Sequence, residues 1–281
     1  MLQSQNMRRA VKTEAIGQTG IIQKFEAIKL QQSIFRVLRL PRVIPELAKS
    51  PEDVKKTIES AATLWSALFD NTQLTQSLKT YIELSANERK QNFELRKYLK
   101  ELRKAGLLLK SALDCYSEDG APETFNTFLS QLGKTNDAYD TKQGNKYAQK
   151  VLSLIESSDL NAFSFTPTST NVCASRINII KSRSLAQIQS PNMLVPIYHD
   201  LRKDLRHLKN LYQVAAMQNP SNRSLIQTFH YLGDLSTQLG KVHDQYAKQK
   251  MMDKAGYEVT QMRIPSQLHR KLKLFYSRLK V

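Results

Sequence analysis

The sequence predicts an all-α protein built as two related antiparallel helical bundles, and three observations predict it. Apolar residues return at three- and four-residue spacings along almost the whole chain, the period of a helix with one buried face. Glycine and proline number nine each among 281 residues, too few for a turn-dense all-β or collagen-like chain. Two blocks of pattern also recur in the same order about a hundred residues apart, the mark of an internal duplication. Hydrophobic residues make up 41%, enough for a real core, which excludes a wholly disordered basic tail.

The elements follow in order. Residues 1–20 lack the apolar stretch of a secretory signal and read as a flexible tail. Residues 21–39 place Ile22, Phe25, Ile28, Leu30 and Ile34 on a broad stripe. Ser50-Pro51-Glu52-Asp53 is a helix start: a cap, proline at the first helical position and acids in the first turn. The helix it opens carries Val54, Ile58, Ala61, Leu64, Trp65 and Leu68, and Asp70-Asn71-Thr72 ends it. Leu74–Leu84 and then residues 86–115, 122–140 and 146–156 supply the other helices of a first bundle spanning 21–160. Phe163–Asn171 is rich in Ser, Thr and Pro and marks a linker over 161–173. Helices over 174–189, 193–217, 222–250 and 265–280 form a second bundle within 174–281. No strand is expected, since runs such as Ile177–Ile180 fit a helix equally well.

The chain carries 42 Lys+Arg against 25 Asp+Glu, a net +17. Residues 1–140 hold 21 bases and 17 acids (+4), and residues 141–281 hold 21 and 8 (+13). A concentrated positive field attracts polyanions and does little for the fold, so nucleic acid, anionic membrane and inorganic polyphosphate become candidate partners. Cys115 and Cys173 make neither a disulfide framework nor a CxxC pair and read as buried thiols in a reducing compartment. No apolar run approaches the roughly 18 residues needed to span a bilayer. The expectation is a soluble, intracellular protein.

The duplication places LRKYLKELRK (Leu95–Lys104) against Leu201-Arg202-Lys203-Asp204-Leu205-Arg206-His207-Leu208-Lys209, at an offset of 202 − 96 = 106. Leu132-Gly133-Lys134-Thr135-Asn136-Asp137-Ala138-Tyr139 matches Leu239-Gly240-Lys241-Val242-His243-Asp244-Gln245-Tyr246 at 239 − 132 = 107. At about 100° per residue, with Arg96 at zero, Lys100 falls near 40°, Lys104 near 80°, Lys97 near 100° and Arg103 near 340°. Leu95, Leu99 and Leu102 fall near 240–300°. With Arg202 at zero, Lys203, Arg206, Lys209 and His199 make the same basic sector, and Leu201, Leu205 and Leu208 the same apolar one. Glu94, Glu101, Asp200 and Asp204 fall outside the basic sectors, so these bases are expected to lack carboxylate partners on their own helices. A merely solvated face would mix both signs for i,i+4 pairing, whereas clustered cations repel one another until an anion binds.

His199-Asp200-Leu201-Arg202-Lys203 with Arg206 and Lys209, followed by Leu239-Gly240-Lys241-Val242-His243-Asp244, resembles the second half of the conserved histidine α-helical domain, the CHAD family. Leu95–Lys104 with Leu132–Asp137 is similar to that family's first repeat, and the likeness covers roughly residues 85–281. The resemblance implies two bundles related by a pseudo-twofold, with long basic helices lining a shared central groove that binds inorganic polyphosphate and catalyses nothing. The matching positions are Arg96, Lys100 and Arg103 in the first repeat and His199, Arg202, Arg206 and Lys209 in the second. Lys97, Lys104 and Lys203 complete the basic sectors, Lys134, Lys241 and His243 extend them, and Asp137 and Asp244 are expected to orient or neutralise an arginine. Phe93 stands where the family's first-repeat histidine would be. No cofactor or metal is implied, and the expected location is the cytoplasm, in association with polyphosphate-rich bodies.

Polyphosphate suits such ridges, because a linear run of oxyanions needs no sequence-specific reading. Arginine binds phosphate oxygens bidentately, lysine acts as a mobile point charge, and counterion release makes affinity fall with salt. His199 either adds a charged hydrogen bond at mildly acidic pH or packs as a neutral ring. Catalysis has little support: the five histidines form no HxxxH or HExxH pair, and no GxxxxGK[ST] loop or GxSxG elbow occurs. His243-Asp244 reads as a helix-end pair against the neighbouring basic helix. RNA or DNA binding is the alternative, but it calls for stacking aromatics, and Phe125, Phe128, Phe229 and Phe275 fall on apolar stripes, with Tyr98, Tyr147 and Tyr212 as exceptions. Leu268, Leu272, Phe275 and Leu279 on the final helix, beside Arg270, Lys271, Lys273, Arg278 and Lys280, suit a membrane surface or, preferably, the last helix of the second bundle.

Overall fold

A computed structural model describes residues 23, 26, 27, 39–160, 164–250 and 254–280. The tail expected over residues 1–20 and nearly all of the stripe expected over 21–39 lie outside them. Two compact units form: Lys55–Pro167, and Glu26–Val54 together with Thr168–Val281. Residues 39–54 thus pack with the second half of the chain, not with the first bundle where chain order had placed them. Ile44 is buried, Tyr212 donates its hydroxyl to the Pro45 carbonyl (2.8 Å), and Gln227 donates its amide to that of Arg39 (2.7 Å). Such pairings span more than 160 residues and leave no local trace in the sequence.

The first unit consists of α1 (Pro51–Leu68), α2 (Asn71–Glu83), α3 (Ala86–Gln91), α4 (Phe93–Tyr116), α5 (Glu123–Asp137) and α6 (Lys142–Ser157), with α1 beginning at the unit boundary. The caps are local. Ser50 and Asp70 accept from the backbone of Asp53 and Gln73, and Ser85 and Glu88 form a reciprocal capping box. The single helix expected over 86–115 is two, because Asn92 leaves helical geometry (φ −85°, ψ 74°) and its side chain caps α4 by accepting from Leu95 N (3.1 Å). Trp65 is fully buried, stacks on Phe69 (4.7 Å), meets the edges of Phe125 and Phe128, and donates to the Leu160 carbonyl (3.0 Å). α6 closes over α2 where Tyr81 donates to the Tyr139 carbonyl (2.9 Å). This approach needs Gly144, since a Cβ there would lie 2.0 Å from the Tyr81 hydroxyl and 2.5 Å from the Ala138 carbonyl oxygen.

The second unit contains α7 (Thr170–Gln187), β1 (Asn192–Leu194), α8 (Val195–Gln218), α9 (Arg223–Lys250), α10 (Lys254–Val259), β2 (Gln261–Arg263) and α11 (Ser266–Arg278). α7 opens at Thr170, capped by Ser169, so the helix begins inside the span expected to be linker. The expectation of no strand is corrected. β1 and β2 pair antiparallel, with Asn192 opposite Arg263, Met193 opposite Met262 and Leu194 opposite Gln261. Three residues are too few for a period of two to show, although Met193 and Met262 bury the same face. The short α10 was likewise not expected.

The four long helices of this unit form a ring, in which α7 packs on α8, α8 on α9, α9 on α11 and α11 on α7. Arg183 of α7 pairs bidentately with the buried Asp204 of α8, its Nε donating to Oδ2 at 2.9 Å and its Nη2 to Oδ1. Tyr231 of α9 donates to the Lys271 carbonyl (3.2 Å), and Lys181 of α7 to that of Leu279 just past α11 (2.6 Å). Leu268, Leu272, Phe275 and Leu279 are at most 3% exposed, so the apolar stripe of the last helix is bundle core. Cys115 and Cys173 are buried thiols, and burial pushes that of Cys173 up to about 11. Among the described residues no helix is long and apolar enough to cross a membrane.

Gly144→Ala is expected to destabilise the first unit by about 1–3 kcal/mol, the cost of overpacking. Urea denaturation checks this, and an unchanged midpoint would show that α6 and Tyr81 can part without loss.

Candidate anion-binding ridges

Each unit contributes one basic helix, α4 or α8, packed against the next long helix, α5 or α9. In the first unit Arg96, Lys100, Arg103, Lys104, Leu107, Asn136 and Asp137 line a cleft of about 390 Å³. Arg103 lies flat on α5. A Cβ at Gly133 would meet three of its guanidinium atoms at 2.5–2.7 Å, so only glycine lets the side chain approach the helix this closely. In the second unit Arg202 lies beside Gly240 in the same manner but more loosely, its Nη2 3.4 Å from where a Cβ would be.

These seats set a different correspondence from the one the sequence suggests. Counting from the seated arginine, Glu101 and Lys104 hold the places of Asp200 and Lys203, and both pairs form i,i+3 ion pairs (2.6 and 3.3 Å). Lys100 holds the place of His199, three residues before the arginine. Asn136 and His243 each follow their glycine by three residues, Asp137 and Asp244 by four. Arg103, not Arg96, is therefore the structural counterpart of Arg202. The sequence match is one heptad out of step, because a leucine-and-base pattern repeats as well after seven residues as after none. Phe93 consequently does not hold the histidine's place, and it is 72% exposed. The expectation that the ridge bases lack same-helix carboxylates is also corrected for Lys104 and Lys203. Lysine is long enough to reach an acid about 60° around the helix.

The other predicted positions divide. Arg96 sits over the Tyr139 ring (5.2 Å) and 3.8 Å from Asp140, so the carboxylate that meets an arginine is Asp140, not Asp137. Asp137 is exposed at the cleft and makes no ion pair among the described residues. Among the described residues Asp244 accepts from no arginine; its Oδ1 lies 3.3 Å from His243 Nδ1. His243 stacks on Tyr198 (6.5 Å) and sits 6.4 Å from the His199 ring, mid-helix in α9 and not at a helix end. Lys97 and Lys100 are exposed on α4, and Lys203 on α8. Arg206 and Lys209 are partly buried on α8, the Arg206 Nε donating to the Arg202 carbonyl (3.4 Å). Lys134 and Lys241 are exposed, Lys134 lying 5.7 Å over Tyr147. Of the tyrosines considered as stacking surfaces, Tyr212 is fully buried, while Tyr98 and Tyr147 are partly so.

Several buried nitrogens here meet no hydrogen-bond partner among the described residues: Nε of Arg96, Arg103 and Arg202, and Nδ1 of His199. A buried polar atom left without a partner is costly, which suits a site for an incoming anion. Sequence reasoning missed Tyr139, Asn136 and Asp140, and it gave Gly133 and Gly240 no role. The recurring Leu-Gly-Lys was the available signal for the glycines. Among the described residues no group of three or more His, Cys, Asp or Glu side chains could hold a metal. Burial and the neighbouring Lys203, Arg206, Arg202 and His243 push the His199 ring below its ordinary value of about 6.5.

No family model, curated protein or solved structure matches this chain.

With its pKa depressed, His199 binds its proton less readily in the folded than in the unfolded chain. Its contribution to stability is complete above about pH 6.5 and is lost as pH falls toward the folded value. His199→Gln is expected to flatten the decline of unfolding free energy between pH 7.5 and 5; an unchanged slope in urea titrations would show that His199 is not its source.

Proposed function

We propose that the chain binds inorganic polyphosphate through its two basic ridges, as a CHAD-like binder that carries out no reaction on it. The observation that carries this reading is the seated arginine repeated in both units, with a buried Nε that nothing among the described residues accepts from. Around it each unit sets lysines that can follow a flexible anion: Lys100 and Lys104 in one, Lys203 and Lys209 in the other. An oxyanion chain needs no base-edge readout. The internal duplication, and the central groove shared by both ridges that the resemblance implies, belong to this reading. If one chain serves both ridges, charge reversal in either unit lowers affinity for long chains without creating a second class of sites.

His199 enters as the neutral ring of the second ridge. A bound polyanion favours its protonation, so binding takes up protons and tightens as pH falls below about 6.5. Affinity is expected to fall linearly with salt on logarithmic axes.

Arg202→Glu with Arg206→Glu is expected to weaken polyphosphate binding by more than about a hundredfold, at roughly 1.5–3 kcal/mol for each hydrogen bond to a charged group. Unchanged affinity in the folded double variant, measured by titration, would remove α8 from the site. RNA displacing long-chain polyphosphate at equal phosphate concentration would favour a nucleic-acid partner instead. Sustained phosphate release by the purified protein would overturn the non-enzymatic reading. Gly133→Ala should lift Arg103 from α5 and lower affinity severalfold, an effect expected to vanish in an Arg103→Lys background; equal losses in both backgrounds would show that the glycine acts through stability alone.

A further inference from the structure

The second unit has another cationic surface, on the edge of its bundle away from the α8 ridge. In the ring α7–α8–α9–α11, the ridge with its seated Arg202 lies at the α8–α9 contact. The α7–α11 contact is the opposite side of that ring. No Asp or Glu occurs between Leu160 and His199 or between Val259 and Val281, so these two helices carry no acid of their own. Asp204 and Asp234 reach toward them from α8 and α9, and each takes one base: Arg183 (bidentate) and Lys271 (3.5 Å). Arg270, Lys273, Arg278 and Lys280 remain exposed and form no ion pair among the described residues.

This surface is not uniformly polar. Arg270, Leu274 and Arg278 follow one another at four-residue intervals on the outward stripe of α11, and Leu274 is 40% exposed. On α7, the exposed Val172 and Ile179 lie within about 40° of Arg183, on the α8 side of that helix, so Leu274 is the aliphatic side chain set among these bases. Both rings of the α11 core, Phe275 and Tyr276, are fully buried, so the face offers bases and an aliphatic side chain without an exposed aromatic. Stacking on nucleobases would require aromatic rings at this surface. An aliphatic side chain set among cations matches instead the boundary of a bilayer, where phosphates meet acyl chains.

We propose that the α7–α11 face docks on the surface of an anionic phospholipid bilayer. Arg270, Lys273, Arg278 and Lys280 meet lipid phosphates, and Leu274 enters the layer just beneath them. Attraction of this kind accumulates with each base near the surface and is screened by salt. Because the ridge lies on the other side of the bundle, docking leaves it open. The inference does not depend on what the ridge binds.

The test is co-sedimentation of the full chain with vesicles of phosphatidylglycerol and phosphatidylcholine, against vesicles of phosphatidylcholine alone. The expected result is partition onto the anionic vesicles only, weakening as salt is raised. Arg270→Glu with Arg278→Glu should reduce partition at least tenfold, and Leu274→Ser severalfold, with polyphosphate titration unchanged in both. Leu274 is exposed, so its serine variant tests the face even if the double charge reversal fails to fold. Equal partition onto both vesicle types would overturn the proposal. So would loss of partition in Arg202→Glu/Arg206→Glu with none in the α11 variants, which would assign the effect to the ridge. Retention of RNA that depends on Arg270 and Arg278, without vesicle binding, would replace the bilayer by nucleic acid.

Discussion

The close approach of an arginine to a helix backbone organises both candidate half-sites. A guanidinium laid across α5 at Gly133 is shielded from water on one side, and any side chain at that position would displace it. The geometry removes freedom from a long side chain before a ligand arrives, so less ordering remains to oppose binding. It also leaves the Nε–H groups of Arg103 and Arg202 buried and unaccepted among the described residues, a cost of roughly 1–3 kcal/mol each when left unmet. Such sites are kept in proteins at the expense of stability because their strain is relieved on binding. The aromatic cluster around Trp65 and the bidentate lock between Arg183 and Asp204 hold the surrounding helices while the ridges bear that expense.

The two half-sites are alike in plan and different in chemistry. Lys100 and His199 hold the same place relative to the seated arginine, as do Asn136 and His243 relative to the glycine. The first unit therefore offers an ammonium group and an amide, and the second a pair of imidazole rings 6.4 Å apart. Arg96 adds a further asymmetry: Asp140 lies 3.8 Å away and Tyr139 beneath it, whereas Arg202 has no such carboxylate among the described residues. An anion arriving at the first unit competes with Asp140 for Arg96. At exposures near a third, that pair is weak enough to yield.

Much of the fold was legible because helical order is local. Ser50 announces its helix, Asp70 was legible as the end of one helix but not as the cap of the next, and the leucine stripes of α4 and α8 name their buried faces correctly. Asn92 divides a helix that periodicity alone had run together, since its cap acts over three residues and does not disturb the spacing of the leucines around it. β1 and β2 were invisible because three-residue strands gain their order from pairing 69 residues apart, as with Met193 and Met262. The basic residues of the site were legible as a face, and their register was not. A heptad pattern defines direction around a helix but leaves position along it open by seven residues, and only the contacts of Gly133 and Gly240 settle it. Asp140 and Tyr139 could not be assigned to Arg96 without knowing that α5 returns antiparallel to α4 in that register.

The displaced register has a practical side. The seated arginine and its glycine are separated by 133 − 103 = 30 residues in one unit and 240 − 202 = 38 in the other, yet the seat is preserved. The surplus sits in the far ends of α8 and α9, since the turn joining them is the shorter of the two. Hairpins of this type can thus be lengthened or trimmed at their tips by whole helical repeats without retuning the chemistry at their base. The turn at 219–222, exposed along its whole length, becomes a natural graft point for a reporter or a tether.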